Sequence, residues 1–329
     1  MDATGTPAGT HAGTRATTRA TGIFQRVRVR RRDRAVFIAK LAAALALLAA
    51  GAALEFLGGT AGAVAGVVLL AAVYTHMVEL QHQCLHHSAF TGARPHRLVG
   101  VPLGLPLLVS YSHYRVRHLQ HHRYLGTERD SEFFGFDAAE PLTWRRLLRG
   151  AFDYRRLLTV VRDVVRSTRG TWSYDLGQIS DRRRREVIAE YRLIGAVLAA
   201  AVVLAALGQG EAVLRLWLLP LAVAVPMHFL LELPEHVLCD TATTDVLRNT
   251  RSITGSRFST WFTNGNNLHV EHHAAMTVAI NRLRERHPEV RASAKYVERG
   301  YPTFYWRVAR AATAGSRARA SAGTPGRRP

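Results

Sequence analysis

Four long apolar runs, arranged as two pairs, restrict this chain more than any other feature. The first covers residues 35–57 and the second 60–80, with little more than Gly58 and Gly59 between them. The second pair covers about 193–207 and 213–233. A bilayer-crossing helix needs about 20 mainly apolar residues, because an unpaired backbone cannot sit in hydrocarbon. Each pair therefore reads as a transmembrane helical hairpin. A further apolar piece at residues 98–109 carries Pro102 and Pro106. It is too short and broken to cross, and is expected to dip into the membrane or lie on it.

Charge orients the hairpins. The 329 residues hold 44 Lys+Arg against 24 Asp+Glu, a net +20. Nucleic acid is the first partner such a balance suggests, but the apolar runs favour a membrane facing anionic lipid, and no nucleic acid is expected. Residues 1–34 carry 8 Lys+Arg, 114–192 carry 17 and 234–329 carry 15, so 40 of the 44 fall on one expected side. The positive-inside rule then makes both termini and the long middle segment cytoplasmic, in what reads as a bacterial inner membrane. Four crossings satisfy this arrangement. Cleaving the first run as a secretory signal would break it. The two cysteines, Cys84 and Cys239, give no disulfide framework.

The expected organisation is a disordered basic segment over residues 1–34, a membrane domain over 35–310 and a disordered tail over 311–329. The Arg-rich stretch 114–192 has amphipathic helical patterns, as in residues 144–149 and 154–166, and reads as interfacial or cytosolic helices.

Nine histidines stand at metal-ligand spacing. Three boxes hold eight of them: His82-Gln-Cys-Leu-His86, His118-Leu-Gln-His121-His122 and His269-Val-Glu-His272-His273. The ninth, His236, sits in Leu-Pro-Glu-His-Val just past the fourth run. Helical positions i, i+3 and i+4 share a face, so each box can aim its imidazoles at one point. Nine nitrogens are enough for two metal ions. Imidazole suits iron, zinc, copper and nickel alike, so spacing leaves the metal open. A zinc hydrolase needs about three ligands, commonly in His-Glu-x-x-His, and that string is absent. A transporter would place its ligands at the bilayer midplane, whereas these cluster at the cytosolic ends of the hairpins. The fold class is thus an all-α membrane protein, with four transmembrane helices in two hairpins and a cytosolic helical cap holding a dimetal site.

Carboxylates at the membrane edge are costly and usually functional. Glu79, Glu232 and Glu235 qualify. Glu232 and Glu235 are expected to orient imidazoles, and Glu232 is also a candidate ligand. His228 shares a face with Glu232 and is assigned to the surroundings of the metals or to a substrate path. Asn266 and Asn267 precede the third box, as candidates to hold a metal-bound water or to cap its helix. Cys84 reads as a packed residue. His11, His96 and His287 read as solvated, and His87 points about 100° away from His86 on a helix.

With these residues the chain resembles the integral-membrane fatty acid desaturases and their hydroxylase relatives, from about Tyr74 to Arg286. The resemblance rests on His82-x3-His86, His118-Leu-Gln-His121-His122-Arg-Tyr-Leu-Gly and Asn267-Leu-His269-Val-Glu-His272-His273, with Glu235-His236 and Arg248-Asn-Thr-Arg-Ser252. It implies two non-haem iron ions held by the nine histidines and O₂ as co-substrate. It also implies a separate ferredoxin-like or cytochrome b5-like electron donor with its reductase, since no flavin or haem domain is visible. The implied substrate is an acyl-CoA, an acyl carrier protein thioester or a lipid. The implied reaction is insertion of a C=C bond into a fatty acyl chain or lipid, with hydroxylation or other oxygenation of a lipid or specialised metabolite on the same scaffold as the alternative. The chain departs from the family at residues 275–280 (Ala-Ala-Met-Thr-Val-Ala), where relatives have a Leu- and Pro-containing stretch, and at Gln83, where an acidic residue is common. Arg145, Arg146 and Arg182 to Arg185 are candidates to dock an acidic donor.

Overall fold

The computed structural model describes residues 27–131 and 136–322. His11 and residues 1–26 lie outside the described residues. The chain is mainly helical. α1 (Arg31–Leu57) and α2 (Gly59–Leu85) form the first long pair. α3 (Ala93–Gly104) and α4 (Tyr111–Tyr124) follow, then α5 (Trp144–Ala151) and α6 (Arg155–Thr168). α7 (Asp181–Leu204), a short α8 (Gly210–Val213) and α9 (Leu219–Glu232) make a second long stretch. Small elements close the chain: α10 (Val246–Asn249), β1 (Ser252–Ile253), α11 (Arg257–Phe262), α12 (His269–Ala274), α13 (His287–Arg291), β2 (Val297–Glu298) and α14 (Tyr301–Ala322).

Among the described residues, three helical stretches are long and apolar enough to cross a membrane: Arg31–Leu57, Gly59–Leu85 and Asp181–Glu232. The first two extend beyond the apolar runs at one end each, so residues 31–34, expected in a disordered segment, already form the first turn of α1. Likewise α14 continues through residue 322, into the expected tail. The third stretch is not one straight rod. Gly208 has φ of 86°, outside helical space, within a wide turn at Ala205–Gln209, and a second wide turn follows at Leu214–Leu218. Glycine takes that backbone without steric penalty, and it stands where the apolar pattern places a hairpin tip.

α1 and α2 pack through small residues. A Cβ on Gly66 would lie 2.8 Å from the Gly51 carbonyl oxygen and 2.9 Å from the Glu55 nitrogen. Only glycine permits so close an approach, the usual device of membrane helix pairs. Past the Gly208 break, Arg215 pairs with buried Glu55 at 3.1 Å, and the Trp217 indole donates to Pro106 O at 2.9 Å. Residues 214–218 therefore sit beside the far end of α1 and the Pro-broken segment after α3.

Buried charges fix the opposite end. Glu190 of α7 accepts from Arg97 (3.0 Å), Ser110 Oγ (2.9 Å), Ser112 N (2.7 Å) and Ser112 Oγ (2.6 Å). A buried carboxylate is tolerable when its lone pairs are satisfied this way. These bonds lock α7 onto the start of α4, the helix carrying the second histidine box. Asp33 is held by Arg282 and Asn281, both at 3.0 Å, which tethers the start of α1 to the segment after the third box. α5 and α6 leave Leu148, Phe152, Leu158, Val161 and Val165 exposed, the apolar face an interfacial helix presents.

Candidate metal centre

The nine histidines converge, but not one box to one point. His82, His86, His118 and His272 form one quartet, and His121, His236, His269 and His273 form another. In each quartet the ligand atoms lie within 4.8 Å of one another. The second box thus divides between the quartets, with His118 in one and His121 in the other. The third box divides too, sending His272 to the first and His269 with His273 to the second. An i, i+3, i+4 face is wide enough to feed two neighbouring centres, so the expectation of one point per box is corrected. His122 stands between them. Its Nε2 is 2.9 Å from His118 Nε2 and 3.0 Å from His272 Nε2, and its ring centroid is 4.2 Å from that of His273.

The nitrogens crowd beyond what hydrogen bonding explains. His118 Nε2 lies 2.7 Å from His82 Nε2, 2.8 Å from His86 Nε2 and 2.9 Å from His122 Nε2. A ring nitrogen carries either one proton or one lone pair, so it serves one such partner, not three. Several Nε2 atoms aimed at one spot are the arrangement a cation requires. The second quartet repeats it, with His269 Nε2 3.1 Å from His236 Nε2 and 3.0 Å from His273 Nε2. The donor set fits two metal ions of imidazole-loving type.

The far sides of the rings set the tautomer. His121 Nδ1 meets Asp130 Oδ1 at 2.7 Å, His236 Nδ1 meets Asn249 O at 3.0 Å, and His269 Nδ1 meets Asn266 Oδ1 at 3.1 Å. Each acceptor demands a proton on Nδ1, which leaves the Nε2 lone pair free for metal. Asn266 in turn donates to Glu235 Oε1 at 2.7 Å, and Glu235 Oε2 is 3.4 Å from His269 Nε2. Burial, reinforced by neighbouring imidazoles, holds His86, His122, His269, His272 and His273 well below the ordinary histidine range, so these rings stay neutral.

The sequence misassigned several neighbours. Asn266, not Asn267, touches an imidazole. Asn267 spends its amide on Ile253 O (2.6 Å) and accepts from Thr263 Oγ1 (3.0 Å), bracing the loop before the third box. His96 is buried rather than solvated, accepting from Phe90 N at 2.9 Å and stacking on His87. His287 contacts buried Glu271, which also binds Ser252, so the central acid of the third box is locked rather than free. His228 and Glu232 pair at 3.1 Å. Together with Glu79 they form a third buried group of ligand-type atoms within 4.8 Å of one another. Cys84 is packed and free.

Arg251, inside the Arg248–Ser252 stretch, holds the ninth histidine in place. Its buried guanidinium donates to the Pro234, Val237 and Leu238 carbonyls at 2.8, 2.5 and 3.2 Å, gathering the turn that carries His236. Only the spacing of these loop carbonyls in space reveals that role. Asp130 likewise carries no motif, and Asn249, inside that same stretch, acts through its backbone carbonyl.

Two cavities reach the quartets from different sides. One of about 420 Å³ touches His121 and His236 and has apolar walls including Leu125, Phe136, Phe229 and Leu233. The other, about 780 Å³, touches His86 and is lined by Arg115, Arg123, Arg129 and Arg183. Several of the arginines expected to face a donor are otherwise engaged. Arg146 donates to the Asp137, Glu140 and Pro141 carbonyls, Arg184 to those of Gly170 and Trp172, while Arg182 and Arg183 pair with Glu186.

No curated protein matches this chain. The fatty acid desaturase family model matches residues 59–305, which span every histidine of both quartets. With a match over most of its length and its histidines gathered in two quartets, the chain belongs to the fatty acid desaturase family.

Proposed function

We propose that the protein is a membrane-bound, O₂-dependent diiron desaturase that inserts a C=C bond into a fatty acyl chain or lipid. The observation that carries this reading is the convergence of eight imidazoles into two adjacent quartets with His122 between them, one quartet opening onto a cavity with apolar walls. A single-zinc hydrolase, with about three protein ligands, has no use for a second four-nitrogen site. A pair of iron ions would supply the reduction of O₂ and the power to remove hydrogen from an unactivated C–H bond.

The chain's own residues supply placement. Asp130, Asn249 O and Asn266 fix three rings of the second quartet with Nε2 turned inward. Leu125, Phe229 and Leu233 bind the apolar part of a substrate and exclude water beside His121 and His236. Such positioning accelerates a reaction because the reacting bond is already held near its target. Hydroxylation is the second reading, since the same hydrogen removal followed by oxygen delivery gives an alcohol.

Electrons come from a separate acidic donor, a ferredoxin-like or cytochrome b5-like protein served by its own reductase. The arginine-lined opening beside His86 supports a docking place for it. Residues 181–232 cross the bilayer twice with Gly208 at the turn, so the histidines and both termini face the cytoplasm of a bacterial inner membrane. The Arg215–Glu55 pair at the end away from the histidines supports this path.

The test is product analysis. Purified protein with ferredoxin, reductase and O₂ should convert lipid with a loss of two hydrogens, and the His121→Ala variant should give none. A gain of one oxygen instead would select hydroxylation, and turnover retained by His121→Ala would remove the metal centre from the reaction.

A further inference from the structure

The 420 Å³ cavity has a charge that opposes the rest of the molecule. Its described lining includes five carboxylates, Glu128, Asp130, Asp137, Glu232 and Asp240, and no lysine or arginine. This occurs in a chain with 44 such cations and a net charge of +20. The cavity beside His86 is the reverse, with four arginines and no carboxylate among its described residues.

The carboxylates differ in how far they are spoken for. Asp130 is bound to His121, and Asp240 to Lys295 (2.7 Å), Tyr296 (2.7 Å) and Arg248 (2.9 Å). Lys295, Tyr296 and Arg248 hold the Asp240 carboxyl down to about 2, so it stays ionised. Glu232 faces His228. Asp137 accepts only the Ala139 amide among the described residues, at 2.8 Å, and Glu128 is exposed with no ion pair among them. Arg146 stacks on Phe136 with its guanidinium carbon 4.8 Å from the ring centroid, but its donors go to loop carbonyls and Glu140. The rim thus keeps two exposed carboxylates, Glu128 and Asp137, with no ion pair among the described residues. Phe136 and Phe229, edge to face with centroids 5.5 Å apart, stand on the same wall. Arg146 already covers the Phe136 face, and carboxylates at the mouth of an apolar cavity whose described lining holds no lysine or arginine suit a cation better than a phosphate group.

We propose that this cavity takes a substrate with a cationic polar end, an amine-bearing amphiphile, and rejects acyl thioesters of phosphate-bearing carriers. The proposal rests on reading this cavity as the substrate site of the oxidase above, and narrows its substrate class. Glu128 and Asp137 hold the ammonium at the rim. The alkyl part lies along Leu125, Phe229 and Leu233 toward His121 and His236.

Photoaffinity labelling tests this without turnover. The full-length protein, in maltoside micelles, is labelled with diazirine-bearing dodecylamine, dodecanol and dodecanoyl-CoA, and peptides covering residues 125–139 and 229–240 are quantified. The amine should reach half-maximal labelling at a concentration at least tenfold below the alcohol, and the thioester should label least. Glu128→Lys with Asp137→Lys should erase the amine's advantage. The milder Glu128→Gln with Asp137→Asn pair should reduce it about threefold, which keeps the test decisive if the lysine pair fails to fold. Labelling by the thioester equal to that by the amine, or an order unchanged in both double variants, would overturn the proposal. Product formation is assayed separately, so a protein that binds the amine but oxidises nothing indicts the oxidase reading and leaves the cavity's preference standing.

Discussion

The two quartets are built from one residue type and share two of their three boxes, yet they sit in opposite electrostatic surroundings. The first is bounded by other rings. Tyr114 lies against both His82 and His118, and the Arg115 guanidinium adds to the burial that keeps His86 neutral. It opens toward arginines. The second is bounded by oxygen. Asp130, Asn249 O and Asn266 sit behind its rings, Glu235 beside them, and its cavity carries carboxylates. Ligand type alone therefore does not set what each metal experiences. The proposed function divides the work along the same line, with the donor assigned to the first quartet and the substrate to the second.

The strongest way to break this comparison is to remove one ligand from each side. His118→Ala and His273→Ala should both reduce product to background, and each should lower bound iron from two ions per chain toward one. If either variant keeps wild-type turnover, its quartet is not part of the site. Next in size is the loss of an outer partner. Asp130→Ala should lower metal affinity or activity by about 10–100-fold, measured by iron retention against a chelator, because His121 loses the acceptor that fixes its Nδ1 proton.

Charge reversal at the first quartet's opening should be smaller and of a different kind. Arg123→Glu with Arg129→Glu should slow association of an acidic donor by about tenfold, while half-maximal substrate concentration stays fixed. A shift in the substrate parameter instead would mean that substrate also uses this opening.

Acidity should not separate the quartets at all. The first includes His86 and His272, the second His269 and His273, and all four are held neutral below the ordinary value of 6.5. The unfolded chain takes up protons near that value, whereas the folded one does so only at lower pH. The fold's advantage is thus complete above about 6.5 and is lost as pH falls below it. Iron should leave both quartets together as pH falls below about 6.5, a loss monitored by iron release and melting temperature.

The boxes were legible in the sequence because helical spacing places i, i+3 and i+4 on one face, and His236 because it follows an apolar run. The division of each box between two centres was not, since spacing fixes a face and not where each ring on it points. Partners supplied by loops were equally hidden. Asp130 reaches His121 across nine residues, and Arg251 gathers three carbonyls that share no pattern. His96 and His287 read as solvated because their neighbours are polar, yet a loop amide and a locked glutamate take them up. The break at Gly208 was visible as a gap between apolar runs, while the helical turns that carry α7 up to it and α9 away from it were not.

The central claim is that two quartets of imidazoles, with His122 between them, hold two iron ions. Iron quantification on purified protein, with X-ray absorption at the iron edge, tests it most directly. The account predicts two iron ions per chain with a nitrogen-dominated shell showing imidazole scattering, and about one per chain in both His118→Ala and His273→Ala. A single iron in the wild type, zinc in place of iron, or a sulfur-containing shell would contradict it.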